Sequence, residues 1–463
     1  MAGADYPYAR AVNLPKLDYF NDKVPFCNQI KNKFSHKFYS QTAVAVSNEH
    51  LEFVIPKSLG LYSDLSSLKL VVRGRILNNN GAALNIANRE DVCLPKSHFL
   101  RALWSHVQVY LNETPILFPH CHYSIHDAIH RALNSGYELQ DSAEFFERLY
   151  FDPQNATTDV HLVTVETVEG EGENAKRTYA LDDNSPPQLK RAYQDTKDSK
   201  MITVIGNILP PSLRDIKLLP NEVCMKILLR KNCPEFYLFE TTGQGGTANH
   251  RFEISEAYVE LDQYQLREAI ASSINTMLRT TPAYFPYRLD AEYPMFVLQG
   301  STEIKEEKLY LDILPERVTI AVMKLSAYNG HSSQDPHVFY NHGVKTVDLI
   351  VDKDSYYGHN SIRTNFNSRE GVAEAYYQLI DKIPLPAKKE MTVERFRNSA
   401  SLFVFDLVPG ATGKVDYPME HGTLGLHIRF ENGVPEPLVV LMLTSRRQVL
   451  AIKGSDRHVE CLY

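Results

Sequence analysis

Histidines and a cysteine cluster between Phe118 and His130, where the sequence reads FPHCHYSIHDAIH. Imidazole nitrogens and cysteine thiolates are common zinc ligands, so this stretch could hold a metal ion and make the chain a metalloenzyme. Four histidines and one cysteine fall within these thirteen residues. The first question is whether their spacing lets them meet at one ion.

The spacing argues against a shared ion. Apolar residues after Ser124 recur on one helical face, and we predict a short helix with Ser124 as its N-cap. A helix extended back to His122 would separate His122 from His130 by about 12 Å along its axis. Zinc holds its ligand nitrogens at about 2 Å. At most a pair, His126 with His130, could bind the same ion.

Other catalytic motifs are missing from the sequence. There is no HExxH, and His126 stands where the cupin metal pattern needs a glutamate. The glycines of Gly243–Thr247 lack the Lys-Ser/Thr of a P-loop, and no Gly-x-Ser-x-Gly elbow occurs. We therefore predict no catalytic residue, no cofactor and no metal, with His126 and His130 on a solvated helix flank. The alternative is a cupin-type jelly-roll metalloenzyme that uses the His120–His130 cluster, and a carbohydrate-binding sandwich is a third possibility.

The elements that must position these residues are mostly strands. Apolar side chains alternate along Val107–Asn112 and Leu424–Phe430, which is the period of a half-buried strand. Turn-forming stretches such as Asn78–Gly81 separate similar segments in both halves of the chain. The sequence therefore predicts an all-β protein, either a sandwich or a barrel.

Composition limits the class of protein. With 463 residues, 43% apolar and 23% charged, the chain is long enough for two domains. The net charge of −7 argues against a protein that coats nucleic acid with its whole surface. We expect no secretory signal, because Met1–Tyr6 has neither a basic start nor an apolar run. We also expect no membrane span, because the longest apolar run, Leu438–Leu443, has the length of a buried strand. Six cysteines without paired spacing favour a reducing compartment, so we expect synthesis in the cytosol.

The domain organisation follows from breaks in the strand pattern. We predict an N-terminal arm at 1–40, a first domain at 41–264 and a second at 265–463. Residues 166–200 are charged and poor in large apolar side chains, which predicts a long surface loop. Leu266, Ile270, Ile274 and Leu278 recur every four residues, which predicts a helix at the domain boundary.

A series of strand-like and helical segments follows a definite order along the chain. The segments are Leu51–Pro56, Tyr62–Val72, Phe99–Asn112, Tyr123–Gly136, Phe145–Asp152, Leu218–Leu228, Leu314–Val322, Ala327–Gly330, Phe403–Pro409, Gly422–Phe430, Val449–Lys453 and Asp456–Val459. In this order they resemble the double jelly-roll major capsid proteins of polinton-like and adintovirus-like elements, in the lineage of adenovirus. That family has a "YIDLSNT" stretch, a "LPKRVVIGLVDNDAFNG" stretch and a "LFAFDLTP" stretch at the corresponding places.

The resemblance spans Leu51 to Val459 and departs from the family at Lys453–Asp456 and at 166–200. It implies two tandem eight-stranded antiparallel jelly rolls with short linking helices. It also implies a structural protein without enzyme activity, which forms pseudo-hexagonal homotrimers in an icosahedral shell around double-stranded DNA. Neighbouring capsomers, penton proteins and other minor capsid proteins are the implied partners. The implied location is the virion, with assembly in the host nucleus.

The N-terminal arm combines basic and aromatic residues. Such a segment could contact neighbouring capsomers, an internal capsid protein or, weakly, the packaged DNA. The basic residues that we single out for these contacts are Lys16, Lys23, Lys31, Lys33 and Lys37.

Overall fold

The structure is a computed structural model, and it describes residues 29–42, 49–117, 122–135, 145–152, 156–169, 176–240, 248–355, 361–408 and 420–462. The strands of the first half are β1 (Ile30–Tyr39), β2 (His50–Ile55), β3 (Leu61–Asn78), β4 (Cys93–Pro95), β5 (Trp104–Leu111), β6 (Thr114–Leu117), β7 (Thr164–Glu169), β8 (Lys176–Leu181), β9 (Ile202–Gly206), β10 (Met225–Lys231), β11 (Leu238–Glu240) and β12 (His250–Leu266).

The second half is also built mainly from strands. They are β13 (Ala283–Val297), β14 (Glu303–Ile313), β15 (Arg317–Lys324), β16 (Val344–Val351), β17 (Asp354–Ser355), β18 (Ile362–Arg363), β19 (Phe403–Asp406), β20 (His421–Phe430), β21 (Leu438–Lys453) and β22 (His458–Leu462).

Short helices connect the strands. The α-helices are α1 (Phe99–Ala102), α2 (Tyr123–His130), α3 (Pro187–Thr196), α4 (Pro211–Arg214), α5 (Pro234–Tyr237), α6 (Glu268–Thr280), α7 (Leu325–Asn329), α8 (Ala373–Lys382), α9 (Leu385–Glu390) and α10 (Val393–Asn398). Three-residue 3₁₀ turns occur at Arg89–Asp91, Lys197–Ser199 and Glu370–Val372, and a π turn at Arg131–Ser135 follows α2.

Each half forms two large antiparallel sheets, and the first half also has the two-stranded sheets β4–β11 and β7–β8. In the first half the strand orders are β1-β12-β3-β9 and β2-β10-β5-β6. In the second half they are β13-β21-β15-β19 and β14-β20-β16-β17, with β22 added to β21 and β18 added to β16. Two four-stranded antiparallel sheets around one core are the arrangement of a jelly roll. The predicted all-β double jelly roll with linking helices is confirmed.

Alternation of apolar residues explains strands that have one buried face. In β5, Trp104, Val107, Val109 and Leu111 are buried, and the residues between them are partly exposed. The central strand β21 differs, because every residue from Leu438 to Thr444 is buried. It pairs with β13 on one side and β15 on the other, so its apolar run forms the predicted buried strand. Buried apolar residues form one continuous core through both jelly rolls.

Two predicted boundaries differ from the structure. Residues 30–39, predicted as part of an arm, form edge strand β1 and pair with β12. The predicted surface loop at 166–200 contains β8 and helix α3, and Ala192 and Tyr193 of α3 join the core. These few apolar residues on one helical face are enough to anchor a mostly polar segment. Residues 1–28 of the predicted arm and Gly243–Thr247 of the predicted turn lie outside the described residues.

The chain passes from one jelly roll to the other through helix α6. Strand β12 of the first jelly roll ends at Leu266, and β13 of the second begins at Ala283. Of the four residues in the predicted helical stripe, Leu266 lies in β12, and Leu278 is the buried residue of α6.

Candidate functional site

Helix α2, which carries the predicted histidines, lies between the two jelly rolls. All its residues except His130 are buried, whereas we predicted a solvated flank for both His126 and His130. The predicted N-cap Ser124 is inside the helix, which begins at Tyr123 after His122. The prediction was wrong because the polar side of the helix faces the second jelly roll instead of water. We call the contact surface between the two jelly rolls the junction.

Histidines of α2 pair with carboxylates of β13 at the junction. His126 Nε2 lies 2.9 Å from Glu292 Oε2, and His130 Nε2 lies 2.7 Å from Asp290 Oδ2. Residues four apart on a helix are about 6 Å apart along its axis, and residues two apart on a strand are about 6.6 Å apart on the same face. The spacing of the histidines on α2 therefore matches the spacing of the carboxylates on β13, and each histidine lies beside one carboxylate.

Glu292 has further partners in the junction. Tyr328 donates its hydroxyl to Glu292 Oε1 at 2.7 Å, and His122 Nδ1 lies 3.7 Å from the same oxygen. The His122 ring also packs against the Tyr328 ring at a tilt of 36°, with ring centroids 3.9 Å apart. Glu292 thus links α2 of the first jelly roll with β13 and α7 of the second.

Charge pairing shifts the pKa values in the junction. Burial opposes ionisation of His130, but the Asp290 carboxylate outweighs it and raises the pKa of His130 above its usual 6.5. Burial likewise disfavours the Asp290 and Glu292 carboxylates, yet hydrogen bonds and charge from the histidines hold both pKa values well below the usual range. His130 and Asp290 therefore each stabilise the charged form of the other.

This arrangement differs from the proposed cupin-type site. In the part of the chain that the structure describes, His122, His126 and His130 do not join a group of three ligand atoms within 4.8 Å of one another. Each histidine instead meets a carboxylate in a hydrogen bond or ion pair. His120 of the cupin-type alternative lies outside the described residues.

A charged network fixes α2 from the first jelly roll. Asp127 Oδ2 lies 2.7 Å from Arg101 Nε and 2.8 Å from Arg131 Nε, and Arg101 donates to Glu147 at 2.7 Å. Burial would raise the pKa of Asp127, but the two guanidinium groups lower it far below its usual range. Since each buried charge has its counter-charge, the network holds α2 in one orientation.

A buried lysine crosses the junction at a second place. Lys96, fully buried, donates its ammonium to the carbonyls of Glu235 at 2.7 Å and of His331 and Gln334 at 2.6 Å each. Glu235 belongs to the first jelly roll, and the other two carbonyls belong to the second. Burial lowers the pKa of Lys96 to about 7. The three carbonyls satisfy all three ammonium protons and tie the two jelly rolls together.

Ser97 and His98, which follow Lys96, also contact the second jelly roll. Ser97 donates its hydroxyl to Asp335 Oδ1 at 2.8 Å, and His337 Nδ1 lies 3.1 Å from the same oxygen. The ring of His98 lies 4.8 Å from that of His337. Burial, together with the nearby His337, lowers the pKa of His98 well below its usual value, which keeps this ring neutral.

The C-terminal segment forms a third contact across the junction. Arg457 donates to the Asn221 carbonyl at 3.0 Å and to Asn221 Oδ1 at 2.9 Å. In return, Asn112 donates to the Arg457 carbonyl at 2.8 Å, and Thr114 donates to the Val459 carbonyl at 3.0 Å. The second jelly roll therefore closes onto the β5–β6 turn of the first.

The lysines predicted as arm contacts divide into two groups. Lys31, Lys33 and Lys37 lie on β1, where Lys33 pairs with Asp262 at 2.7 Å and Lys37 lies over the Tyr258 ring at 4.8 Å. Lysines on an edge strand also discourage pairing with another sheet. Lys16 and Lys23 lie outside the described residues.

One group of side chains with metal-binding atoms was not predicted from the sequence. Cys93, Glu240 and His250 are buried, and their ligand atoms converge within 4.8 Å. These residues are distant in the sequence and form no recognisable motif. The pairing of β4 with β11 sets Cys93 opposite Glu240, and the His250 amide donates to the Glu240 carboxylate at 3.1 Å.

Comparison with known proteins identifies the fold but no family. No protein-family model matches the chain. An uncharacterized protein of Caenorhabditis elegans, F54H12.2, is 20% identical over 366 residues, which cover 78% of this chain and 80% of that protein.

Among the described residues, no helix is long and apolar enough to span a membrane.

Solved structures of virus particles and capsid proteins are similar over nearly the whole chain. The structure of the Sputnik virophage gives a TM-score of 0.63 at 9% identity, covering 98% of this chain and 93% of that chain. The Faustovirus major capsid protein gives 0.55 at 10% identity, covering 95% and 93%. The PBCV-1 virus capsid gives 0.53 at 9% identity, covering 96% and 99%. Together with the sheet topology, these similarities establish the fold of the chain as a double jelly roll.

Proposed function

We propose that this chain is a major capsid protein. The observation that carries the proposal is the double jelly roll along nearly the whole chain, similar in fold to the Faustovirus major capsid protein over 95% of this chain. In this function the protein buries surface against copies of itself and catalyses no reaction. The resemblance to polinton-like and adintovirus-like capsid proteins supports the same function and is our proposal for its lineage.

The proposed assembly unit is a homotrimer with a pseudo-hexagonal outline. Two similar jelly rolls per chain give six similar units in three copies, so such a trimer can pack as a hexagonal block in an icosahedral shell. The block must be rigid, because flexing between the jelly rolls would change its outline. The contacts of Lys96, Glu292 and Arg457 across the junction support this requirement.

Trimer formation requires two complementary surfaces on each chain. A cyclic trimer closes through a heterologous interface, in which one patch of a chain meets a different patch of the next. Large apolar side chains that are more than half exposed in the single chain are candidates for these patches, since burial against a neighbour would remove them from water. They include Tyr39, Leu59, Phe145, Tyr284, Phe296, Leu298, Leu311, Tyr377 and Leu385.

The remaining parts of the proposal follow from the same function. Neighbouring capsomers, penton proteins and other minor capsid proteins are the proposed partners, and a double-stranded DNA genome is the proposed content of the shell. The N-terminal segment, with Lys16 and Lys23, is the proposed contact to internal proteins or, weakly, to DNA. The proposed location is the virion, after synthesis in the host cytoplasm and assembly in the nucleus.

Negative-stain imaging of the purified full-length protein tests the proposal. We expect particles with a pseudo-hexagonal outline, or closed shells built from them. Single compact particles of one chain, at all protein concentrations and salt conditions that preserve the fold, would contradict it.

A further inference from the structure

Three side chains with metal-binding atoms meet inside the first jelly roll. Cys93 begins β4, Glu240 ends β11 and His250 begins β12, and Cys93 and Glu240 are paired in register. The thiol sulfur, a carboxylate oxygen and an imidazole nitrogen all lie within 4.8 Å of one another. The three residues are between 0 and 3% exposed. This set of sulfur, oxygen and nitrogen atoms is typical of zinc ligands.

His250 is buried, and neither of its ring nitrogens has a hydrogen-bond partner among the described residues. Its Nδ1 nevertheless lies 3.1 Å from Glu240 Oε1, and its Nε2 lies 3.7 Å from Asp91 Oδ1. Two ligand atoms on one tetrahedral zinc ion, each about 2.0–2.1 Å from the metal, lie about 3.3 Å apart. The separation of Nδ1 from the Glu240 oxygen therefore fits two ligands of one ion.

The charges of the cluster also favour a cation. Glu240 is held by the backbone amides of Asn249 and His250, which donate to its carboxylate at 3.1 Å. The nearby Lys96 ammonium is occupied by three carbonyl groups of the chain. A bound zinc ion would stabilise the Cys93 thiolate.

We propose that Cys93 Sγ, His250 Nδ1 and the Glu240 carboxylate bind a structural zinc ion. Zn²⁺ displaces the thiol proton of Cys93, which leaves to solvent as the Zn–S bond forms. Asp91 lies beside the other nitrogen of His250, where a carboxylate orients a metal-binding imidazole. A water molecule supplies the fourth ligand. Calcium and magnesium are poor alternatives, because they prefer oxygen ligands alone.

Such an ion would stiffen the junction. The β4–β11 pair that carries two of the ligands contacts the second jelly roll through the Glu240 amide, which donates to the Ser332 carbonyl at 3.2 Å. Lys96, three residues after Cys93, donates to the carbonyls of His331 and Gln334 in the same loop as Ser332. Zinc would therefore fix the small sheet onto which the loop at 331–335 docks.

Metal analysis of the full-length protein tests the site. The protein is incubated with excess ZnCl₂, dialysed against metal-free buffer and analysed by plasma mass spectrometry, with circular dichroism to confirm folding. We expect about one zinc per chain. We expect Cys93→Ser and Glu240→Gln to weaken zinc binding by more than about 100-fold, since even residues outside the ligand set change affinity 10–100-fold. Glu240→Gln is isosteric and retains an oxygen for the backbone amides.

Cys233→Ser is the matched control, because Cys233 is an exposed free cysteine outside the cluster. It should retain the zinc. Cobalt substituted for zinc should give the thiolate-to-metal charge-transfer band in the wild type and in Cys233→Ser but not in Cys93→Ser. A folded wild-type protein that retains no zinc would overturn the proposal. So would equal zinc binding by folded wild-type and Glu240→Gln proteins.

Discussion

At the residue scale, the junction depends on buried polar groups that each find a partner from the other jelly roll. Lys96 needs the most partners, because each of the three protons of a buried ammonium group requires an acceptor. The three carbonyls that it binds come from two separate segments of the chain. A buried lysine held in this way makes the relative position of the two jelly rolls specific.

Replacing Lys96 tests this role. Lys96→Met keeps the aliphatic stem but removes the lysine donor from three carbonyls, of which that of His331 keeps the Gln334 amide. The substitution should lower the free energy of unfolding by about 3 kcal/mol. Chemical denaturation of both proteins measures the difference. The control is Lys226→Met, which removes an ion pair of the solvent-accessible side chains of Lys226 and Glu52 and should cost less than about 1 kcal/mol. Equal effects of the two substitutions would contradict the proposed role of Lys96.

The His130–Asp290 pair predicts a pH-dependent stability. Because Asp290 raises the pKa of His130, the histidine contributes fully below its ordinary pKa of about 6.5 and less as the pH rises through the raised value. Asp290, with its lowered pKa, contributes above about pH 3.9 and less as the pH falls through the folded-state value. The pair therefore stabilises most between about pH 4 and 6.5. Asp127 strengthens the charge of His130, and Arg317 opposes it.

Asp290→Asn measures this contribution. The substitution should lower the free energy of unfolding by about 1 kcal/mol at pH 6 and by less at pH 9, since His130 is partly exposed and its charge is lost at high pH. Denaturation curves of both proteins at the two pH values give the comparison. A loss of stability that is the same at pH 6 and pH 9 would show that charge pairing is not the cause.

The sequence indicated the residue types at this site but not their partners. Helix α2 was predictable from its apolar face, and the exclusion of one ion shared by His122 and His130 followed from helix geometry. The partners of His126 and His130 are 166 and 160 residues away, so only the tertiary fold brings them together. The Cys93–Glu240–His250 cluster was not predicted for the same reason, because its residues are also distant in the sequence.

At the element scale, predictability depended on burial. Strands with one buried face, such as β5 and β20, were evident from alternating apolar residues. Strand β1 was missed because most of its residues are exposed, so no buried face marks its sequence. Its pairing comes from backbone hydrogen bonds to β12 and from side-chain contacts such as that of Lys33 with Asp262.

Two N-terminal deletions separate the strand from the proposed arm. Removing residues 1–28 leaves β1 intact, so we expect normal thermal stability and normal trimers but fewer closed shells. Removing residues 1–39 also takes away β1 and exposes the edge of β12, which should lower the melting temperature and promote aggregation.

Differential scanning calorimetry and electron microscopy of both deletions provide the readouts. Closed shells at wild-type yield from the shorter deletion would contradict the role of the arm. An unchanged melting temperature for the longer deletion would contradict the contribution of β1 to the first sheet.

At the scale of the whole molecule, the tandem arrangement of two jelly rolls was predictable and the junction was not. The order of segments along the chain resembled a known family even though each segment alone was an ordinary strand. The docking of one jelly roll on the other depends on α2, the loop at 331–335 and the C-terminal segment, which carry polar residues without a period. Such contacts form only once both cores are built.

The mass of the purified protein in solution tests the central claim most directly. Light scattering coupled to size-exclusion chromatography should give three times the mass of one chain, because a cyclic trimer satisfies both patches of every chain. The same mass should persist on dilution, since a capsid building block must be stable before the shell forms. A folded protein that elutes with the mass of a single chain at every concentration would contradict the proposed capsid function.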